Sequence, residues 1–180
     1  IRAAGREVMF YPFVLMDQLD GNTLTDPWTG AEGQPQMPWR GRITTALAPG
    51  LAGTTDRTAA ATAEVEAFFG AAQPGDFTTG SEEVGYSGPA EWRFRRFILH
   101  YAHLCAAAGG VDSFCIGSEM RGLTRIRDGA DGFPAVAALR VLAGEVKAIL
   151  GPGCKVSYAA DWTEYGSYFV DGDLHFPLDP

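Results

Sequence analysis

The chain has 180 residues, of which 46% are hydrophobic, and a formal net charge of -8. This length and apolar content suffice for the core of one domain. The chain has 22 Asp and Glu residues but only 14 Lys and Arg residues. This acidic balance argues against a nucleic-acid surface, and neutral or cationic partners fit the charge better. The sequence contains neither a secretory signal pattern nor an apolar run long enough to cross a bilayer.

The N-terminal third predicts one strand and one long loop. Residues 8–16 are almost continuously apolar, which is typical of a strand buried on both faces of a parallel sheet, and Pro12 marks its end or a bulge. Asp17 follows this strand. Residues 18–54 are rich in Gly, Pro, Thr and Asp without a sustained period, so we predict a long loop with Trp28 among its candidate rim residues.

Helical spacing predicts three helices in the rest of the chain. The first covers residues 56–69, with Asp56 or a Thr as its cap and Gly70 as its end. A polar segment with room for a short hairpin precedes the second helix, which we expect to start at the cap-like residues 87–91. The third begins at Phe133 and is closed by a Gly-Pro-Gly sequence.

Basic side chains and cysteines carry no predicted site. Arg93, Arg96, His100 and His103 recur along one side of the second helix without the acidic or Cys partners of a metal site, so we predict a solvated face. Cys105 and Cys115 occupy apolar positions and are interpreted as small buried hydrophobic residues, and Cys154 adds no disulfide or zinc spacing. We expect no metal, nucleotide or flavin cofactor, because no motif for one is present.

Two further strands complete the pattern. The segment 111–119 (VDSFCIGSE) is a short apolar strand that ends in Glu119, and residues 155–162 form another strand that reaches Asp161. Alternation of strands and helices predicts a parallel α/β fold, and an open doubly wound sheet competes with a barrel but lacks a Gly-rich phosphate loop. Asp17, Glu119 and Asp161 each end a different predicted strand, as catalytic residues do in barrels.

We therefore predict a partial (β/α)8 TIM-barrel-like domain over residues 1–180, truncated at both ends because a whole barrel takes about 250 residues. A Glu at a strand end is a candidate general acid for cleavage of a sugar bond, with a structural ion pair as the alternative role. For Asp161 the alternative is a cap or turn, and for the arginines it is surface ion pairing. The substrate-binding candidates are Asp17, Trp39, Arg40, Arg121, Asp161, Trp162 and Glu164.

Six segments together resemble a known family. They are, in chain order, 10–17 (FYPFVLMD), 38–42 (PWRGR), 86–91 (YSGPAE), 97–102 (FILHYA), 116–122 (IGSEMRG) and 158–165 (YAADWTEY). In this combination the chain resembles the glycoside-hydrolase TIM-barrel-like domain of the large tail protein of gene transfer agents and related siphophage tails. The resemblance extends over essentially the whole chain.

The resemblance implies a domain of a tail hub or tip protein in a virion-like particle, which cuts or grips bacterial cell-wall or surface glycan. Other tail proteins would be its partners, and homo-oligomeric rings are common among such components. Glu119 matches the acid/base Glu that ends the fourth strand of related barrels, although Ser118 replaces the usual Asn before it. The second carboxylate would lie beyond Pro180, so we expect the fragment alone to be inactive.

Two alternatives remain open at the level of the sequence. The first is a non-catalytic glycan-binding or architectural tail module that kept the barrel and lost the chemistry, since a fold does not determine a function. The second is a free-standing α/β enzyme unrelated to phage.

Overall fold

The computed structural model of the protein describes residues 1–81, 83–164, 168–170 and 173–175. Tyr165, which ends the last of the six segments, and residues 176–180 lie outside this description. Short 3-10 turns occur at Arg2–Ala4, Arg40–Arg42, Pro74–Asp76 and Trp162–Glu164. The strands and helices are β1 (Met9–Phe10), α1 (Ala60–Phe69), β2 (Phe77–Thr79), β3 (Val84–Tyr86), α2 (Phe94–Ala107), β4 (Ser113–Ser118), α3 (Arg121–Thr124), α4 (Pro134–Leu150), β5 (Lys155–Ala159), β6 (Tyr168–Val170) and β7 (Asp173–His175).

Strand β4 is the centre of a three-stranded sheet with the order β1, β4, β5. It runs parallel to β1, with Met9 opposite Ser113 and Phe10 opposite Phe114. Five of its six residues are buried, as expected for a central strand of a parallel sheet. The predicted α/β class with a parallel sheet is therefore confirmed. The strands that the structure describes form no closed barrel, which is consistent with a partial one.

The chain forms two compact units, and neither is continuous in sequence. The first unit consists of Ile1–Phe13, Ala67–Gly117 and Ala138–Ala159, and it contains the three-stranded sheet except for the last residue of β4. The second unit consists of Val14–Glu66, Ser118–Ala137 and Ala160–Pro180. The long loop, α3 and the residues that follow β5 belong to this second unit.

The apolar run at residues 8–16 forms a strand only at Met9–Phe10. Met9, Phe13 and Leu15 are 57%, 52% and 69% exposed, so the predicted strand buried on both faces is wrong. Pro12 follows the short strand closely, and because proline has no N–H to donate to a ladder, it opposes continuation of the strand.

The ends of two helices were predicted correctly, but the starts of two were not. Helix α1 ends at Phe69, where Gly70 adopts a φ of 84°, and α4 likewise ends before a left-handed glycine. Asp56 does not cap α1, which begins at Ala60, because its carboxylate accepts a hydrogen bond from the Arg127 N–H at 2.8 Å. The alternative of a Thr at this end agrees with the structure, since Thr58 Oγ1 accepts a hydrogen bond from the Ala60 N–H at 3.2 Å.

The predicted start of the second helix at residues 87–91 is wrong, since α2 begins at Phe94. The Glu91 carboxylate, expected in the first helical turn, instead accepts the N–H groups of Ala71 and Ala72 at 2.8 and 3.0 Å. These bonds connect the loop after α1 to the segment before α2, so a contact remote in sequence prevails over the local capping pattern.

The polar segment before α2 forms an antiparallel hairpin of β2 and β3, with Phe77 opposite Tyr86. Helix α2 packs against this hairpin through His103. The centre of the His103 ring lies 5.0 Å from that of Phe77 in a stacked arrangement, and its Nδ1 forms a hydrogen bond with Thr79 Oγ1 at 3.0 Å. Burial lowers the pKa of His103 below its ordinary value. The predicted solvated face is therefore wrong at this position.

The cores of the two units consist mainly of aliphatic and aromatic side chains. Cys105 and Cys115 are buried and free, as predicted, and burial raises the pKa of the Cys105 thiol to about 11.

Among the helices that the structure describes, none has the length and apolar character needed to cross a membrane.

Helix α4 offers a matched test of this core, because Leu142 is fully buried while its neighbour Val141 is 56% exposed. We expect Leu142→Ala to lower the free energy of unfolding by about 2–5 kcal/mol, since it removes buried methyl groups and leaves a cavity. Val141→Ala should change it by less than about 0.5 kcal/mol. Urea unfolding followed by circular dichroism measures both, and equal losses would contradict this placement of the helix.

Candidate functional site

Glu119 comes directly after the buried strand β4, and its backbone adopts a left-handed φ of 51°. Its Oε2 atom accepts a hydrogen bond from Trp39 Nε1 at 3.2 Å and forms an ion pair with the Arg40 guanidinium. Arg40 Nε also donates to Ser118 Oγ at 2.8 Å. Three of the predicted site residues, Glu119, Trp39 and Arg40, therefore meet at one carboxylate.

This cluster depends on two glycines that permit a close backbone approach. The 3-10 turn Arg40–Arg42 lies against α3, and a Cβ atom at Gly122 would be 2.6 Å from the Gly41 carbonyl oxygen and 2.7 Å from that of Ile43. A Cβ at Gly41 would in turn be 2.4 Å from the Trp39 ring. Only residues without a side chain allow the turn, the indole and α3 to come this close.

Neighbouring residues of the long loop hold the same turn from its other end. Trp28 Nε1 donates to the Arg42 carbonyl at 2.7 Å, and the Arg42 guanidinium binds both carboxylate oxygens of Asp26 at 3.0 Å. Trp28 thus braces the loop rather than presenting a free indole N–H at its rim. Sequence reasoning missed Asp26 and Arg42, because no local pattern relates residues 16 positions apart in an aperiodic loop.

Glu164 is enclosed in the second unit at 2% exposure. One carboxylate oxygen accepts a hydrogen bond from the Thr124 hydroxyl at 2.6 Å, and the other accepts one from the Asp161 N–H at 2.7 Å. A buried carboxylate needs such partners, and these bonds link α3 to the segment after β5. This placement favours a structural role for Glu164 over contact with a substrate.

Asp161 lies beside Glu164 and is also buried, and it accepts a hydrogen bond from the Thr163 N–H at 3.0 Å. Burial raises the pKa of its carboxyl. Hydrogen bonds from the Thr163 side chain and backbone, together with the positive charge of Arg121, outweigh this effect and hold the pKa below its ordinary value. Asp161 is therefore a fixed anion and a turn cap, the alternative role noted from the sequence.

The remaining predicted residues differ in exposure. Trp162 is 82% exposed and presents a free aromatic face, whereas Arg121 is half-buried. Asp17 is exposed and takes part in none of the contacts around Glu119. In the part of the chain that the structure describes, no group of three or more His, Cys, Asp or Glu side chains is arranged to hold a metal ion.

The geometry around Glu119 suits recognition of hydroxyl groups. Both donors hold Oε2, and among the residues with described positions none donates to Oε1, while the side chain is 34% exposed. Trp39 is 42% exposed beside it and supplies an aromatic surface. An oriented carboxylate next to an indole ring is able to accept a hydrogen bond from a hydroxyl, and its protonated form is able to deliver a proton, while a sugar ring stacks alongside.

Comparison with known protein families concerns the C-terminal half of the chain. Residues 92–180 match the family model of the GTA TIM-barrel-like domain. The GTA TIM-barrel-like region includes α2, β4, Glu119 and β5, and thereby supports the domain family that the sequence resembles. Trp39 and Arg40 lie outside the matched residues. No curated protein matches the chain.

The close approach at Gly122 predicts opposite effects of one substitution at two helical glycines. Gly122→Ala should destabilise the protein by about 1–3 kcal/mol, because the new methyl group meets two carbonyl oxygens. Gly144→Ala, in α4 with open space around it, should instead stabilise by about 0.5–1 kcal/mol. Urea unfolding gives the stabilities, and the NMR signal of the Trp39 indole N–H should shift only in the first variant. An unchanged Trp39 signal there would contradict the proposed support.

The lowered pKa of Asp161 predicts a pH-dependent contribution to stability. The ionised carboxylate stabilises the fold fully above the unfolded-state pKa, and the contribution is lost below about pH 4 as the pH falls through the folded-state pKa. Asp161→Asn should therefore destabilise most at pH 7, with a difference from the wild type that shrinks on acidification. Asp20→Asn, at an exposed position, is the control. A difference that stayed constant from pH 7 to pH 3 would refute this account.

Proposed function

We propose that this protein is a glycoside-hydrolase-like domain that engages and hydrolyses bacterial cell-wall or surface glycan, with Glu119 as its proton donor. The observation that carries the proposal is the placement of Glu119 immediately after β4, beside the exposed Trp39 indole. Strand ends of this kind are where barrel enzymes place their catalytic residues.

The proposed division of roles follows from the two carboxyl oxygens. Trp39 and Arg40 fix Oε2, and Ser118 in turn holds the Arg40 side chain through its Nε. In the protonated form of the Glu119 side chain, Oε1 is the atom that would deliver a proton to the glycosidic oxygen. Hydrolysis also requires a second carboxyl group as nucleophile or base.

Trp39 and Trp162 are the stacking surfaces in this proposal, since both are exposed and belong to the same unit as Glu119. Aromatic rings bind the C–H face of sugars while leaving the hydroxyls to polar partners. Asp161, Arg121 and Glu164 would act by holding the backbone around Glu119 rather than by touching glycan.

A non-catalytic glycan-binding module is the second candidate, and the Glu119–Arg40 ion pair favours it. A carboxylate held by Arg is a good acceptor for sugar hydroxyls without any proton transfer. The carboxylate of Glu164 is enclosed, and that of Asp161 accepts a hydrogen bond from the Thr163 N–H. Within the described residues of the second unit, neither offers an open partner for Glu119.

The biological setting belongs to the same proposal. We propose that the protein acts in the tail of a virion-like particle, in contact with other tail proteins and the bacterial envelope, as the family that the sequence resembles implies. A ring of identical copies is the assembly that we propose for such a tail component.

The test is release of reducing sugar or muropeptides from purified bacterial cell walls by the full-length protein. Glu119→Gln should lower the rate by about 100-fold or more, because it removes the proton donor and retains the side-chain shape. Glu66→Gln, the same change at an exposed position of α1, should leave the rate unchanged.

A binding assay on the same cell walls separates the two candidates. Wild-type protein that binds glycan without cutting it would replace the hydrolase proposal with the binding module. Equal hydrolysis by wild type and the Glu119→Gln variant would overturn the catalytic assignment.

A further inference from the structure

A cavity of about 700 Å³ lies entirely within the first unit. Its walls come from β3, from α2 and from the segment between them, and the volume lies in the range of ligand pockets. The side chains that give it chemical character are aromatic or basic, namely Tyr86, Trp92, Arg93, Arg96, His100 and Tyr101. None of them belongs to the Glu119 cluster.

Arg96 organises the aromatic part of this cavity. Its guanidinium lies 3.9 Å from the centre of the Tyr86 ring and 3.8 Å from that of Trp92, and it donates to the Glu91 carbonyl. These cation–π contacts orient both rings. Burial raises the pKa of Tyr86, and the neutral hydroxyl donates to the Pro89 carbonyl at 2.9 Å, which fixes this ring further.

Trp92 is 90% exposed, although it is held in place by Arg96. A large aromatic side chain that is both oriented and exposed to solvent is uncommon at a protein surface to which nothing binds. It is, however, the arrangement expected of a stacking platform, because one ring face is free to meet the C–H face of a ligand ring.

The charge of the cavity contrasts with that of the chain. Arg93, Arg96 and His100 line it, and among the residues that the structure describes no acidic side chain does so. The whole chain carries a net charge of -8. The positive charges of the two arginines attract an anionic ligand, and Arg is well suited to bind a carboxylate.

We infer that this aromatic and arginine-lined cavity binds an acidic carbohydrate, with a sugar ring stacked on Trp92 and a sugar carboxylate paired with Arg93 or Arg96. The choice of a carbohydrate, rather than another anion with an apolar ring, rests on the proposed glycan-directed function. The sequence predicted a solvated face for the basic side of the second helix, whereas Arg93, Arg96 and His100 of that side line this cavity.

The experiment is isothermal titration of the full-length protein with oligogalacturonate, and with its methyl ester, which retains the rings and removes the charges. The acidic oligosaccharide should bind at least about tenfold more tightly than the ester. Trp92→Ala should weaken its binding by about tenfold, and Trp92→Phe, which retains an aromatic face, should weaken it less. Because Trp92 is so exposed, these variants are expected to fold normally.

Trp162→Ala is the matched variant in the second unit, where the exposed indole belongs to the Glu119 region. Loss of binding in this variant, with full binding by Trp92→Ala, would place the ligand at the other site and overturn the inference. Equal affinity for the acid and its ester, or no binding of either, would overturn it as well. Intact binding by a full-length protein that fails to cut cell walls would leave the inference standing while the hydrolase proposal falls.

Discussion

The approach of the Gly41 carbonyl to Gly122 is the contact on which the candidate site depends. It allows an otherwise aperiodic loop to lie directly against the short helix α3, and so it brings Arg40 to Glu119 across 79 positions of sequence. The bonds to the carboxylate are charge-assisted and stronger than most, but they form only if the backbone is already close enough. The absence of side chains at Gly41 and Gly122 therefore allows the close backbone contact, and this contact in turn allows Arg40 to reach Glu119.

Each unit pairs an exposed tryptophan with an arginine, yet the two pairs present different chemistry. Around Glu119 the guanidinium is neutralised by a carboxylate, so the surface offers an aromatic face and hydrogen-bond acceptors. Around Trp92 the guanidinium lies over aromatic rings, and no acidic side chain among the described residues lines the cavity. The first arrangement suits neutral hydroxyls and the second suits anions.

Local periodicity predicted the elements whose patterns are strong, namely β4, α4 and the end of α1. It failed where contacts between residues distant in sequence determine the structure. Glu91 is an example, because its carboxylate binds the N–H groups of the loop after α1 and does not cap the start of a helix. The site shows the same division. Strand-end position singled out Glu119, and the loop's length made its residues candidates, but the meeting of Trp39 and Arg40 at one oxygen depends on folding over many positions and has no local signature.

The left-handed backbone at Glu119 has a consequence for how this position tolerates change. A non-glycine residue at a φ of 51° costs on the order of 1–2 kcal/mol, so glycine or asparagine would suit the main chain better. The acid is therefore held there against the preference of its own backbone, by contacts made through its side chain. At this position backbone stability favours Gly or Asn, whereas the proposed function requires Glu. Selection for more stable variants would therefore tend to replace the residue on which the proposed function depends.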